Sequence, residues 1–299
     1  MGLGIWCYFI LCCPTGVEAP ARCDFGTDEV LSFAPSHLLI PYIFLSASKT
    51  DNILFWLRLS AVMDAFFDQT VVQQTAATLL RLAVRAVAGL PKPHSDDVIL
   101  ISLRDPERTI KIHIYRPAGA TLPSPTLINL HGSGFMLPRH GFSAGANLAM
   151  VAASTRFPGI FQSMVVFYPV TDLSIEVSER QYGPDRNVKP AVSPFLLRIF
   201  FKSYIQSSPI SKKDARLSPT YAPLENFPGR NLFITAAHDN LCQEAEALAA
   251  RLADLDTKKG ECMRVEHCNH AFDKEPAVGS IQERMMKQAY SRVVQFLKE

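Results

Sequence analysis

Gly141-Phe142-Ser143-Ala144-Gly145-Ala146-Asn147-Leu148-Ala149 is the stretch that decides the fold. It opens with Gly-x-Ser-x-Gly, the pattern of a serine set on a sharp turn between a strand and a helix. Ten residues upstream begins His131-Gly132-Ser133-Gly134-Phe135, a glycine-rich loop whose backbone N–H groups can face a developing oxyanion. Alone, glycines in such patterns mark ordinary turns. As a pair, the two motifs point to acyl transfer at a serine.

A serine hydroxyl is a weak nucleophile until a base takes its proton, so Ser143 needs a histidine and a carboxylate to orient it. In an open parallel sheet these partners sit just past the carboxyl ends of strands, in the chain order Ser, Asp, His. Residues 231–235, Asn-Leu-Phe-Ile-Thr, form a strand pattern that runs into Ala236-Ala237-His238-Asp239. Residues 261–266 form another, running into His267-Cys268-Asn269-His270. Asp239 and His270 are therefore the expected partners, with His238 and His267 as competitors for the base. The oxyanion donors expected are the backbone N–H groups of Ala144, Ser133 and Gly134.

The rest of the chain alternates strand and helix. Strands are expected at 98–103, at 110–114 with Ile110, Ile112 and Ile114 on one buried face, at 126–130 as a short buried strand, and at 164–168. Helices are expected at 147–157, 194–204, 243–255 and 281–297. This alternation predicts an α/β fold with a mostly parallel, doubly wound sheet. We divide the chain into an extension over 1–35 with little periodicity, apolar helical segments over 36–92 that suit a lid, and the α/β domain over 93–299.

With 299 residues the chain is long enough for one substantial core. A net charge of +2 and the lack of any Lys/Arg run give no nucleic-acid surface. The seven cysteines are odd in number and show no zinc spacing, so free thiols in a reducing compartment are expected, with no metal. The apolar run from Leu3 to Cys13 is too short to span a bilayer but has the length of a signal-peptide core. No basic residue precedes it. We expect a cytoplasmic protein without membrane contact, with secretion or membrane association as the alternative.

These motifs resemble the hormone-sensitive-lipase-like branch of the α/β hydrolases, the alpha/beta hydrolase fold-3 family. The loop at His131 is similar to its His-Gly-Gly-Gly-Phe, with Ser133 for the middle glycine. The elbow is similar to Gly-Asp-Ser-Ala-Gly-Gly-Asn-Leu-Ala, with Phe142 for Asp and Ala146 for Gly. Tyr168-Pro169, Leu217-Ser218-Pro219, Asp239-x-Leu241 and His270-Ala271-Phe272 resemble later landmarks. The likeness runs roughly from Ile110 to Glu299. It implies hydrolysis of small apolar carboxylic esters through an acyl-serine, without cofactor, in a chain that can form a homodimer.

One departure stands out. In that family a long segment carrying helix A, strand 4, helix B and strand 5 separates the two motifs. Here only Met136-Leu137-Pro138-Arg139-His140 lies between them. A parallel crossover needs about a dozen residues or more. The resemblance implies the sheet order 1-2-4-3-5-6-7-8, so strands 4 and 5 are missing from its interior. Each gap is ~4.8 Å wide, and buried unpaired backbone groups cost about 1–3 kcal/mol each. The sheet is expected to close up or fail, and the elbow to lose its supporting strand and strained turn. A skipped exon or a gene model joined near Gly141 is the simplest account. The readings in play are thus a serine esterase, an impaired truncated form of one, a binding protein such as the family's gibberellin receptors, which lost the histidine, and an amidase.

Overall fold

The computed structural model describes residues 96–102, 109–115, 126–130, 132, 142–180, 192–205, 210–274 and 276–299, together with Thr75 and Leu79. Apart from those two, both helical, the expected extension and lid segments lie outside the described residues, as do Ser133 and Gly134. The chain divides into two compact units.

In the first unit to be described, β1 (Asp97–Ser102) pairs antiparallel with β2 (Thr109–Ile114), Asp97 opposite Ile114 and Ser102 opposite Thr109. Both strands form where β-branched residues predict them. The expected burial of one face does not follow. Val98, Ile99, Leu100 and Ile112 are 40–59% exposed. Successive strand residues point to opposite faces, and a two-stranded ribbon pairs only the backbone groups that face its partner and covers neither face by itself.

The other unit contains a three-stranded parallel sheet in the order β3 (Ser163–Phe167), β4 (Arg230–Ala236), β5 (Lys259–Val265). Every residue of β3 is buried and β4 is buried after Arg230, as continuous apolar strands of a covered sheet should be. β5 alternates toward exposure. The helices are α1 (Ala144–Val151), α2 (Pro194–Ile205), α3 (Cys242–Ala253) and α4 (Ile281–Lys298). Met150, Phe167, Phe233, Leu248 and Phe296 join the main core. A second cluster gathers Val170, Leu173, Leu197, Phe201 and Leu241. The strand–helix alternation is that of an α/β fold.

Two contacts show how the layers meet. Gly260 lets β5 lie close against α3: a Cβ there would stand 2.5 Å from Ala249 O and 2.6 Å from Ala253 N. At the start of α4, Ser280 Oγ accepts from the Glu283 N–H at 3.1 Å, filling one of the open donors of the first turn.

The segment 126–130 corrects a second expectation. Thr126 makes a single bridge, and Leu127 and Ile128 are 39% and 36% exposed. A buried strand needs neighbours on both sides, and the short step to Gly141 leaves no chain for the two that would flank it.

The elbow also differs from expectation, in the opposite sense. Ser143 has φ 55° and ψ −103°, immediately before α1. Its N–H donates to Phe167 O at the end of β3, 3.1 Å away. The strained turn survives because it is held by β3 and by α1, whose Asn147 N–H donates back to Ser143 O at 3.0 Å. Such a backbone costs about 1–3 kcal/mol and persists only where the surroundings over-determine it.

Candidate active site

The loops after β3, β4 and β5 leave the same end of the parallel sheet. After β4, the chain turns through Asp239, whose N–H donates to Ala236 O at 3.0 Å, and enters α3. Asp239 is 4% exposed. After β5, His267 and Ala271 adopt φ 59° and φ 62°, and these two left-handed residues fold the loop back across the sheet end. Two backbone bonds tie the loops together: Ala237 N–H to Val265 O at 2.9 Å and His238 N–H to Cys268 O at 3.0 Å.

In consequence His270 Nδ1 lies 2.6 Å from Asp239 Oδ2. The other carboxylate oxygen accepts from the Leu241 N–H at 3.1 Å. An ionised carboxylate only accepts, so Nδ1 carries the proton and Nε2 is left as the basic nitrogen. Of the competitors, His267 is exposed, and His238 is bound to the β5 loop through its backbone. The ring in contact with the Asp239 carboxylate is that of His270.

Ser143 stands at the same end of the sheet, its N–H bonded to Phe167 O at the end of β3. Phe142 meets the Tyr168 ring edge-on at 5.4 Å between centroids, and Tyr168 packs on the His270 ring at 4.6 Å. Ser143 is 7% exposed and Ala144, the first residue of α1, is fully buried. The first N–H groups of a helix have no carbonyl a turn earlier, so the Ala144 N–H stands where a donor is available. Among the described residues the hydrogen bonds of Ser143 run through its backbone, and none joins its hydroxyl to His270. In unliganded sites this contact is often long.

Two polar clusters nearby were not foreseen from sequence. Asp273, its side chain fully buried, accepts from Tyr168 OH at 2.7 Å, Tyr290 OH at 2.6 Å and Lys274 Nζ at 2.7 Å. Lys274 Nζ also sits 4.2 Å over the Phe142 ring. The Tyr168-Pro169 landmark was the available signal, but nothing local says that a tyrosine at a strand end will seek an aspartate 105 residues on. The second cluster is the buried pair Arg180–Glu244, with Glu244 also accepting from the Thr171 and Asp172 N–H groups at 2.8 and 3.3 Å. Asn147 Nδ2 donates to Val170 O and Leu217 O, both at 2.9 Å. Together these pin the segment after Tyr168 against the starts of α1 and α3. Burial pushes the Glu244 carboxyl up to about 7, against the opposing pull of Arg180.

Among the described residues no group of three His, Cys, Asp or Glu is placed to hold a metal ion, and no helix is long and apolar enough to cross a membrane. The described cysteines, Cys242, Cys262 and Cys268, are free.

A family profile described as alpha/beta hydrolase fold matches residues 139–274, from just before the elbow to just past His270. This is narrower than the likeness read from sequence. It opens at the point where the motifs are joined. Among solved structures, the esterase of Pyrobaculum calidifontis is 20% identical, with 73% of this chain and 92% of that one covered at a TM-score of 0.51. A thermostable esterase from Pseudomonas putida is 16% identical, with 72% and 88% covered at 0.52. The carboxyl esterase 2 of Tuber melanosporum is 26% identical over 48% of this chain, which spans half the length of that protein, at a TM-score of 0.38. No curated protein matches the chain closely enough to count as a relative. The fold is that of the α/β hydrolases. The matched segment is a little under half of the chain, and over it the chain is similar to that alpha/beta hydrolase family.

Proposed function

We propose that the chain carries the site of a serine ester hydrolase. The observation that bears most weight is the 2.6 Å contact of His270 with Asp239, at the sheet end where Ser143 sits on a positive-φ turn. In this reading Nε2 of His270 takes the Ser143 proton as Oγ attacks the ester carbonyl. Asp239 keeps Nδ1 protonated and stabilises the imidazolium. The oxyanion is met by the N–H of Ala144, with those of Ser133 and Gly134 assigned to the same task from sequence. Removing one donor of this kind typically costs ~3–4 kcal/mol of transition-state stabilisation. His270 then protonates the leaving alcohol, and water repeats the sequence on the acyl-serine. The buried, aromatic surroundings of Ser143 suit a small apolar acyl group.

The exposure of Leu127 and Ile128 favours a second reading, a catalytically impaired short form of such an esterase. An alkyl fluorophosphonate separates the two, because it bonds only to an activated serine. Mass spectrometry of the treated protein should find the phosphonyl group on Ser143. No label on Ser143 at reagent excess, in a folded protein, sinks the active-enzyme reading.

A further inference from the structure

Tyr168 joins both halves of the candidate site. Phe167, the residue before it, accepts the Ser143 N–H at 3.1 Å. The Tyr168 N–H donates to Ile234 O on β4 at 2.6 Å, and the Tyr168 backbone is held at φ 33°. Tyr168 is 1% exposed, and its ring meets Phe142 on one side and lies 4.6 Å from the His270 ring at an interplanar angle of 59°. Its hydroxyl is anchored by Asp273, which Tyr290 from α4 and Lys274 hold in turn.

His270 needs such a contact. The bond from Nδ1 to Asp239 fixes one atom of the imidazole, and a ring held at one atom can still swing about that bond. A second contact on the ring sets its plane, and hence the direction in which Nε2 points. Misdirecting a base by about 1 Å can cost on the order of 100-fold in rate.

We propose that Tyr168 is a positioning residue for His270: its ring, fixed by Asp273 at the far end, holds the imidazole plane so that Nε2 faces Ser143. This rests on the hydrolase reading above. Asp273 acts only through Tyr168, and Lys274 steadies both Asp273 and Phe142.

The test is steady-state hydrolysis of p-nitrophenyl butyrate by the full chain, beside Ser143→Ala, Tyr168→Phe and Tyr168→Leu, with a thermal melt of each. Losing the ring should lower kcat by about 10- to 100-fold with KM within about twofold. Losing only the hydroxyl should lower kcat by a smaller factor, again without moving KM. If Tyr168→Leu does not fold, Tyr168→Phe carries the test alone. The histidine side-chain NMR signals, assigned with His270→Gln, should show the His270 resonance shifted or broadened in Tyr168→Phe. A wild type that turns over while Ser143→Ala does not, with kcat and the His270 signal unchanged in a folded Tyr168 variant, overturns the positioning role alone. A wild type no faster than Ser143→Ala overturns the hydrolase reading and this one with it.

Discussion

Asp239 is where sequence and geometry converge most closely. Its carboxylate is buried, takes the Leu241 N–H on one oxygen and His270 on the other, and so fixes the imidazole tautomer. Asp239→Asn would offer an amide N–H or a weaker acceptor and present the wrong nitrogen to Ser143. We expect kcat to fall on the order of 10³- to 10⁴-fold with little change in melting temperature, measured on p-nitrophenyl butyrate. Asp239 and His270 could be nominated because each lies in a loop directly after a strand pattern, although His238 and His267 in the same loops left the base open. Glu244 was not, because an acidic residue in the first turn of a helix reads as an ordinary solvent-facing partner of the helix end. Its burial against Arg180 gives a second prediction. The folded carboxyl titrates near 7 against an ordinary 4.5, so the folded state holds the proton more tightly. Stability from this group is present below about pH 4.5 and is lost as pH rises through 7. Relative to Glu244→Gln, the wild type should lose about 2 kcal/mol between pH 5 and 7.5 in urea unfolding. An equal difference at both pH values counts against the buried titration.

At the scale of elements, periodicity placed β3, β4, β5, α2, α3 and α4 to within two residues of their observed ends. Its largest error is at α1, expected over 147–157 and observed at Ala144–Val151. The small residues Ala144, Gly145 and Ala146 carry no helical signal, and the strained turn at Ser143 delivers the chain straight into the helix. The far end widens into a π turn, Ala152–Arg156. There Ser154 Oγ and Thr155 Oγ1 take the carbonyls of Met150 and Val151 at 2.7 and 2.6 Å, competing with backbone N–H groups for them. The packing of β5 on α3 gives a sharper prediction. Gly260→Ala would drive a methyl into the α3 backbone, which cannot yield as a flexible side chain would. We expect a loss of about 1–3 kcal/mol in chemical unfolding. At α4, Ser280→Ala should cost about 1 kcal/mol through its lost cap. Gly260→Ala with an unchanged unfolding midpoint would show that the two elements are not in that contact.

At the scale of the whole molecule, the class of fold could be read from the alternation of strands and helices, and the spacing of the two glycine motifs marked where it is shortened. The sheet order β3-β4-β5 and its parallel register follow the expected pattern. What could not be read was that the elbow keeps its strained geometry, because β3 and α1 supply the backbone contacts that hold it. The exposed segment at Leu127 and Ile128 is where the missing strands leave their mark. If a skipped exon made the join, the transcript across the codons for Arg139 to Phe142 should show an exon boundary, and a single uninterrupted exon there would refute the skipping account. A working hydrolytic site, as proposed, requires Ser143, His270 and Asp239 to act together in this chain. The most direct measurement is p-nitrophenyl butyrate turnover by the purified protein beside Ser143→Ala. Release of p-nitrophenol well above that control is the predicted result, and indistinguishable rates from the two folded proteins would contradict it.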